Sequence, residues 1–301
     1  MLLGPFLALL GALFFSITNL PARRAVLRVK DTSAGVAVTI VISIPALFLP
    51  LIISGKVGDL LRFPWDGYLW LMGAGIVHYY IGRNLLFKSI RLVGVNRSII
   101  LLRSSPLVAV FLGVVVLREV VTGQMLMGIL LLVAGVGLIG WNPWQSQQNK
   151  TSFASLGPKG ILLGVGAGVC FGVSPLMIKI ALNSFSSPIA ALLIAFVGAA
   201  IAHVLLHAKG DKRKLLLTMN RRTFWLFSLS GLLVVFAQLF RFLAFSMAPI
   251  SVITPIFSVS PLMLIILSFI FNRKLEVFNK SVIVAAVIVV TGALLLLWGK
   301  L

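Results

Sequence analysis

The sequence predicts an all-α integral membrane protein: ten transmembrane helices arranged as two inverted five-helix repeats. Three observations carry this. Hydrophobic residues make up 60% of the 301-residue chain and charged residues 11%, whereas soluble domains average about 25% charged. Apolar stretches of about 20 residues, the length a helix needs to cross the hydrocarbon core, recur along the whole chain. The second half also rewrites the first. Ser105-Pro106-Leu107 returns as Ser260-Pro261-Leu262, and Glu119-Val120 as Glu276-Val277. Gly135 and Trp141 return as Gly292 and Trp298, and Phe15-Ser16-Ile17-Thr18 matches Phe171-Gly172-Val173-Ser174. The offset is 155 residues at the proline and 157 at the glutamate. An odd number of spans per repeat turns the second copy upside-down. Such repeats place a binding site at their interface near the bilayer midplane, and alternating access follows by rocking between the two arrangements.

The spans fall at roughly 2–21, 33–54, 66–88, 96–117 and 122–141, then 159–180, 187–208, 223–246, 250–271 and 279–298. The first repeat occupies 1–141, a connecting loop 142–158, and the second repeat 159–301. Span one lacks a basic leader and a small-residue cleavage site, and it repeats as span six, so it reads as retained. It carries Gly4, Ala8, Ala12 and Ser16 at four-residue spacing; span six carries Gly160, Gly164, Gly168 and Gly172. Such stripes let helix backbones approach closely in the membrane, which predicts that spans one and six are central. Pro106 and Pro261 fall near the middle of spans four and nine, where a proline frees a carbonyl. Ser104, Ser105, Ser258 and Ser260 are candidate partners for the freed groups. Paired broken helices in the two halves point to a transporter site; a packing kink is the simpler alternative.

The net charge of +20 does not imply nucleic acid. Lys and Arg gather in short loops, as the positive-inside rule requires. Odd-numbered loops hold 17 of the 26, and even-numbered loops with the termini hold five, including Arg118 and Lys179. This predicts a multi-pass cytoplasmic-membrane protein with both termini outside. Trp65, Trp141, Trp144 and Trp298 fall at span ends, where aromatic belts sit. The single Cys170 excludes an internal disulfide. His78, His203 and His207 are too scattered for a metal site, and no cofactor is expected.

Four arginines fall within spans: Arg83, Arg97, Arg103 and Arg241. Charge at membrane depth is costly and points to function by default. Arg97 lies at a span end and reads as snorkelling. Arg103 is deepest in span four, with Asn96 seven residues before it on the same face. Ser251, Thr254 and Ser258 line the counterpart face of span nine. Arg83 is repeat-equivalent to Gln238 in span eight, and Tyr79 lies one turn before Arg83. Asn19, at the inner end of span one, completes a candidate lining. A guanidinium grips carboxylate or phosphate bidentately and stays charged. The pattern therefore predicts an anionic or carboxylate-bearing substrate held by Arg103, with Arg83 or Arg241 assisting. The alternative is that these arginines bond helix-end carbonyls or lipid headgroups. All six acids, Asp31, Asp59, Asp66, Glu119, Asp211 and Glu276, lie outside the spans or at their ends. A proton-coupled exporter of cations would need a carboxylate at depth. Glu119 and Glu276 read as caps on the helices that follow them, or as gate-closing partners for loop arginines. His78 is the mid-membrane group able to titrate near neutrality.

The run Arg103-Ser104-Ser105-Pro106-Leu107 with Glu119 and Gly135, and again Val259-Ser260-Pro261-Leu262 with Glu276 and Gly292, resembles the EamA domain of the drug/metabolite transporter superfamily. Two such units cover essentially the whole chain. The resemblance implies a central cavity between spans one, three, four, six, eight and nine, and a permease or exporter of a small polar metabolite such as an amino acid or organic anion. It carries over Pro106, Pro261, Glu119 and Glu276 as motif positions for helix breaking and gating. Arg103 stands just ahead of the motif. Competing readings are a flippase for a lipid-linked substrate and an exporter of cationic drugs. An integral-membrane enzyme would need an activated group at depth, and the sequence offers none. The expected partners are the bilayer and a small-molecule substrate, without nucleic acid. Duplication makes a monomer sufficient and leaves a dimer open.

Overall fold

The computed structural model describes residues 2–26, 28–29, 32–93, 98, 101–102, 104–140, 158–207, 219–260, 262–263 and 280–298. The first half contains α1 (Leu3–Val26), α2 (Thr32–Ile53), α3 (Trp65–Gly75), a π-helical segment (Ile76–Gly82), α4 (Arg83–Val93), α5 (Ser104–Val115) and α6 (Gly123–Gly140). The second contains α7 (Pro158–Ser184), α8 (Pro188–His207), α9 (Arg221–Met247), α10 (Ile250–Phe257) and α11 (Lys280–Trp298). A 3₁₀ turn, Val57–Leu61, joins α2 to α3. Among the described residues there is no strand. Five helices, α1, α2, α7, α8 and α9, are each long and apolar enough to cross a membrane; α5, α6 and α11 contribute shorter apolar stretches.

Local chemistry sets several boundaries. Pro158 and Pro188 open α7 and α8, positions where a missing N–H costs nothing. Asn220 caps α9, its side chain accepting from the Arg222 N–H at 3.0 Å. Pro106 sits in the first turn of α5 rather than in the middle of a helix. The carbonyl it would strand, that of Leu102, accepts from the Ser105 N–H at 3.1 Å. In span nine, α10 ends at Phe257 and a turn at Ser258–Val259 precedes the next helical residue, Ser260. Both halves thus break the helix shortly before the motif proline. Pro261 itself lies outside the described residues, as do Trp141 and Trp144.

The helix ends gather at two faces. At the terminus face, Asp59 accepts a bond from the Ser187 hydroxyl at 2.8 Å, and a Cβ on Gly4 would stand 3.1 Å from Ala248. At the opposite, loop face, a Cβ on Gly160 would stand 2.3 Å from Val93. The two small-residue stripes do what their spacing predicts. Ala8, Ala12 and Ser16 are fully buried as α1 packs on α9 and α10. Gly164, Gly168 and Gly172 leave room for Leu101, Ser104 and Val108, so α7 packs on α4 and α5. Ser16 ties the halves further, donating to the Ala12 and Ser260 carbonyls. Helices in lipid associate through such close contact and interhelical bonds, because lipid tails are as apolar as leucine. Helices α6 and α11 pair with each other at the edge, with Gly128 against the Gly292 and Leu296 backbone.

Candidate functional site

Span three is built to bring polar groups inward. Gly75 allows the end of α3 to meet α8 so closely that a Cβ there would fall 1.7 Å from the Ala195 carbonyl oxygen. The π segment starts at the next residue. Such segments are single-turn distortions found often at functional sites. It carries His78 and Tyr79 inward, 5% and 1% exposed. Gly82 closes it against Phe171, which a Cβ would meet at 2.6 Å. Arg83 follows as the first residue of α4 and is buried.

Rings hold these groups. The His78 imidazole stacks on Phe171 at 4.3 Å, and its Nδ1 lies 2.7 Å from the Ser174 hydroxyl. The Tyr79 ring stacks on Phe196 at 4.1 Å. Arg83 Cζ lies 5.5 Å from the Phe87 ring centre; Arg241 Cζ lies 5.2 Å from Phe245 and 5.0 Å from Phe257. Both guanidiniums lie in the neighbourhood of the Tyr79 ring.

The cluster's hydrogen bonding is incomplete. Arg83 Nε, Arg241 Nε, the Tyr79 hydroxyl, Gln238 Oε1, the Ser251 hydroxyl and the Thr254 hydroxyl are buried without a hydrogen-bond partner among the described residues. Buried polar groups are nearly always paired, so each such atom calls for an explanation. Insertion scales put an arginine at membrane depth at about 3 kcal/mol, and a desolvated cation–π contact returns about 2 kcal/mol. The rings therefore offset part of the cost and leave the N–H donors to be met by water or a ligand.

Of the predicted lining, Arg83, Tyr79, Gln238, Arg241 and Thr254 are buried together on spans three, eight and nine. Ser258 is half-buried, and its hydroxyl turns back onto the Thr254 carbonyl at 2.8 Å. Asn19 is half-buried on α1, and no hydrogen bond joins it to the cluster among the described residues. Asn96 and Arg103 lie outside the described residues, as does Glu276.

Glu119 differs from its expected part. It caps not the helix that follows it but α10 of the other repeat, accepting from the Ile250 N–H at 2.8 Å and the Ser251 N–H at 2.9 Å. The physical reason lies in the turn after α5. Arg118 takes a left-handed backbone conformation, φ 55°, and sends Glu119 back until its N–H bonds the Gly113 carbonyl. A Cβ on Gly113 would stand 2.7 Å from the Glu119 carboxylate. Lys179, counted with the loops in sequence, lies within α7 and donates to the Phe245 and Ala248 carbonyls at 2.6 and 3.2 Å, at the end of α9. Glu119 and Lys179 border an open cavity of about 310 Å³ on the terminus face, with Asn183, Ser246 and Pro249. Sequence reading missed the aromatic supports. Their signal was present: Phe87 stands four residues after Arg83, and Phe245 four after Arg241, the spacing of side chains sharing a helix face.

Ten spans in two inverted halves, with broken helices flanking a buried polar cluster, define a multi-pass membrane protein of the inverted-repeat transporter class. The EamA-like transporter family matches residues 2–141 and 158–298, and the chain belongs to it. Among solved structures, one described only as "Crystal structure of protein" is similar over 99% of this chain and 97% of its own, with a TM-score of 0.74 at 14% identity. At that identity the likeness speaks for the fold. Comparison with curated proteins returned no match.

Proposed function

We propose that this protein is a permease that moves a small polar metabolite with an anionic group across the cytoplasmic membrane by alternating access, and that it is not an enzyme. One observation carries the reading: two buried guanidiniums, a phenol, an amide and a hydroxyl gather where the repeats meet, with Arg83, Arg241, Tyr79, Gln238 and Thr254 each presenting a polar atom without a partner among the described residues. A permanently closed core would leave that cost unmet; a core that takes up a ligand meets it on each cycle. The proposed lining also includes Arg103, Asn96, Asn19 and Ser258. Pro106 and Pro261 serve as the breaks about which spans four and nine bend, and Glu119 and Glu276 as gate residues. A single chain supplies both halves of the cavity, and the charge bias puts both termini outside.

Proteoliposome uptake tests the proposal. Labelled carboxylate and phosphate metabolites are compared with a neutral-side-chain amino acid and an organic cation. Saturable flux of anions, lost in Arg241→Ala, is the expected result. Flux of the cation alone would overturn it and make the arginines structural.

A further inference from the structure

We infer that the substrate carries two anionic groups and no ammonium, as in a small dicarboxylate; this rests on the permease reading above. Among the described residues, Arg83 and Arg241 place two fixed positive charges at the repeat interface, and Arg103 of the proposed lining would add to that charge rather than offset it. Both Nε donors are unbonded among the described residues. Phe87 lies 5.5 Å from Arg83 Cζ, and Phe245 and Phe257 lie 5.2 and 5.0 Å from Arg241 Cζ; a ring contact takes up no N–H donor, so each free Nε can serve a carboxylate.

No described acid is placed to neutralise them. Asp59 is engaged by the Ser187 hydroxyl and lies 3.5 Å from Arg62 at the terminus face. Asp66 opens α3 at that same face. Glu119 is engaged by the N–H groups of Ile250 and Ser251. Those lie about two turns, roughly 10 Å at 1.5 Å per residue, from Phe257, where Arg241 is seated.

The charge balance then ranks the ligand classes. A ring contact holds a guanidinium without neutralising it, so a monoanion leaves one cation uncompensated. A zwitterion brings no net charge and sets an ammonium against two like charges in a low-dielectric interior, where repulsion is strongest. A dianion pairs both guanidiniums with charge-assisted bonds. The remaining unpaired groups suit its oxygens: the Tyr79 and Thr254 hydroxyls can each donate to a carboxylate. Phe87, Phe245 and Phe257 offer apolar wall to the carbon linker.

The test is equilibrium binding to the purified full chain in lipid nanodiscs, with proteoliposome counterflow beside it. The probes are succinate, succinamate (the same skeleton with one carboxylate made an amide), aspartate and alanine. Succinate should bind about 10- to 100-fold more tightly than succinamate, the range of one charge-assisted hydrogen bond. Aspartate, a dicarboxylate with an ammonium, should fall below succinate. Arg241→Gln should weaken both ligands and bring succinate and succinamate within about threefold of each other, with monodisperse elution and a cooperative melting transition showing that the variant is folded. If that variant does not fold, Arg241→Lys keeps the charge, and its succinate-to-succinamate ratio should stay above about threefold. In the parent protein, succinamate or alanine binding as tightly as succinate overturns the dianion inference and leaves the permease reading standing. Failure of every acid to bind or exchange sinks both.

Discussion

Spans three and eight occupy equivalent places in the two repeats and are built differently. Span eight is α9, one 27-residue helix. Span three is α3, a π segment and α4. Their surroundings match: α9 packs on the small-residue face of α1, and span three on that of α7. Each also meets a neighbour at a glycine, Gly75 against Ala195 and Gly231 against Thr39. The polar groups do not match. Arg83 is equivalent to Gln238, whereas Arg241 aligns by the same offset with Leu86. Duplication therefore kept the scaffold and let the site diverge. On the proposed alternating-access cycle the two halves exchange conformations, which would constrain packing. The proposed anionic ligand would need only charges at the interface, whichever half supplied them.

The sharpest way to break this comparison is to transpose the charge. Arg83→Ala and Arg241→Ala should each cut anion flux in proteoliposomes by about 100-fold or more, the loss of a charge-assisted bidentate contact. The double variant Arg83→Gln with Gln238→Arg moves the same charge to the repeat-equivalent position. It should remain at least about tenfold below the parent, because Phe87 is placed to support position 83. Parental flux in the double variant would mean that the repeats are interchangeable here.

The scaffold predictions are smaller. Gly75→Ala drives a methyl into the Ala195 carbonyl, 1.7 Å away, which backbone cannot yield cheaply. It should cost about 1–3 kcal/mol as an overpacked core does, seen as a lowered melting temperature. Gly137→Ala, inside α6 with nothing within 4 Å of the added Cβ, should instead stabilise by about 0.5–1 kcal/mol. Removing Val77 would convert the π segment to regular helix. The expected outcome is a chain that still folds but has Tyr79 turned away from Arg241, with flux down about tenfold. Undiminished flux would make the π segment a packing feature alone.

The fold was legible because its signals are redundant: ten apolar spans, a repeated Ser-Pro-Leu, and two glycine or alanine stripes each state it separately. The site was legible only in its charged members. Arg83, Arg241, Tyr79, Gln238 and Thr254 announce themselves as polar residues in apolar runs. The π segment does not, since Ile76–Gly82 reads as ordinary helix and no residue in it marks the widened turn. Glu119 was recognisable as a cap, but its partner was not. A cap usually serves the nearest helix in sequence, and only the left-handed turn at Arg118 redirects this one across the repeat interface to α10.

That crossing gives the smallest prediction and extends the comparison from the site to the gate. The Glu119 carboxylate accepts two N–H bonds at the start of α10, where the helix dipole also favours negative charge. Glu119→Gln keeps one acceptor oxygen and removes the charge, so it should cost about 1 kcal/mol, read as a small drop in melting temperature with the chain still folded. Because the bond joins opposite repeats at the terminus face, its weakening favours the conformation in which that face opens. A cysteine placed at Ser246 should then react faster with a membrane-impermeant thiol reagent, after Cys170→Ala removes the native thiol. Glu276→Gln is the matching change in the other repeat. Equal stability losses in the two variants would mean that the caps kept the symmetry the site has lost. A loss confined to Glu119→Gln would make the terminus face the more firmly latched of the two.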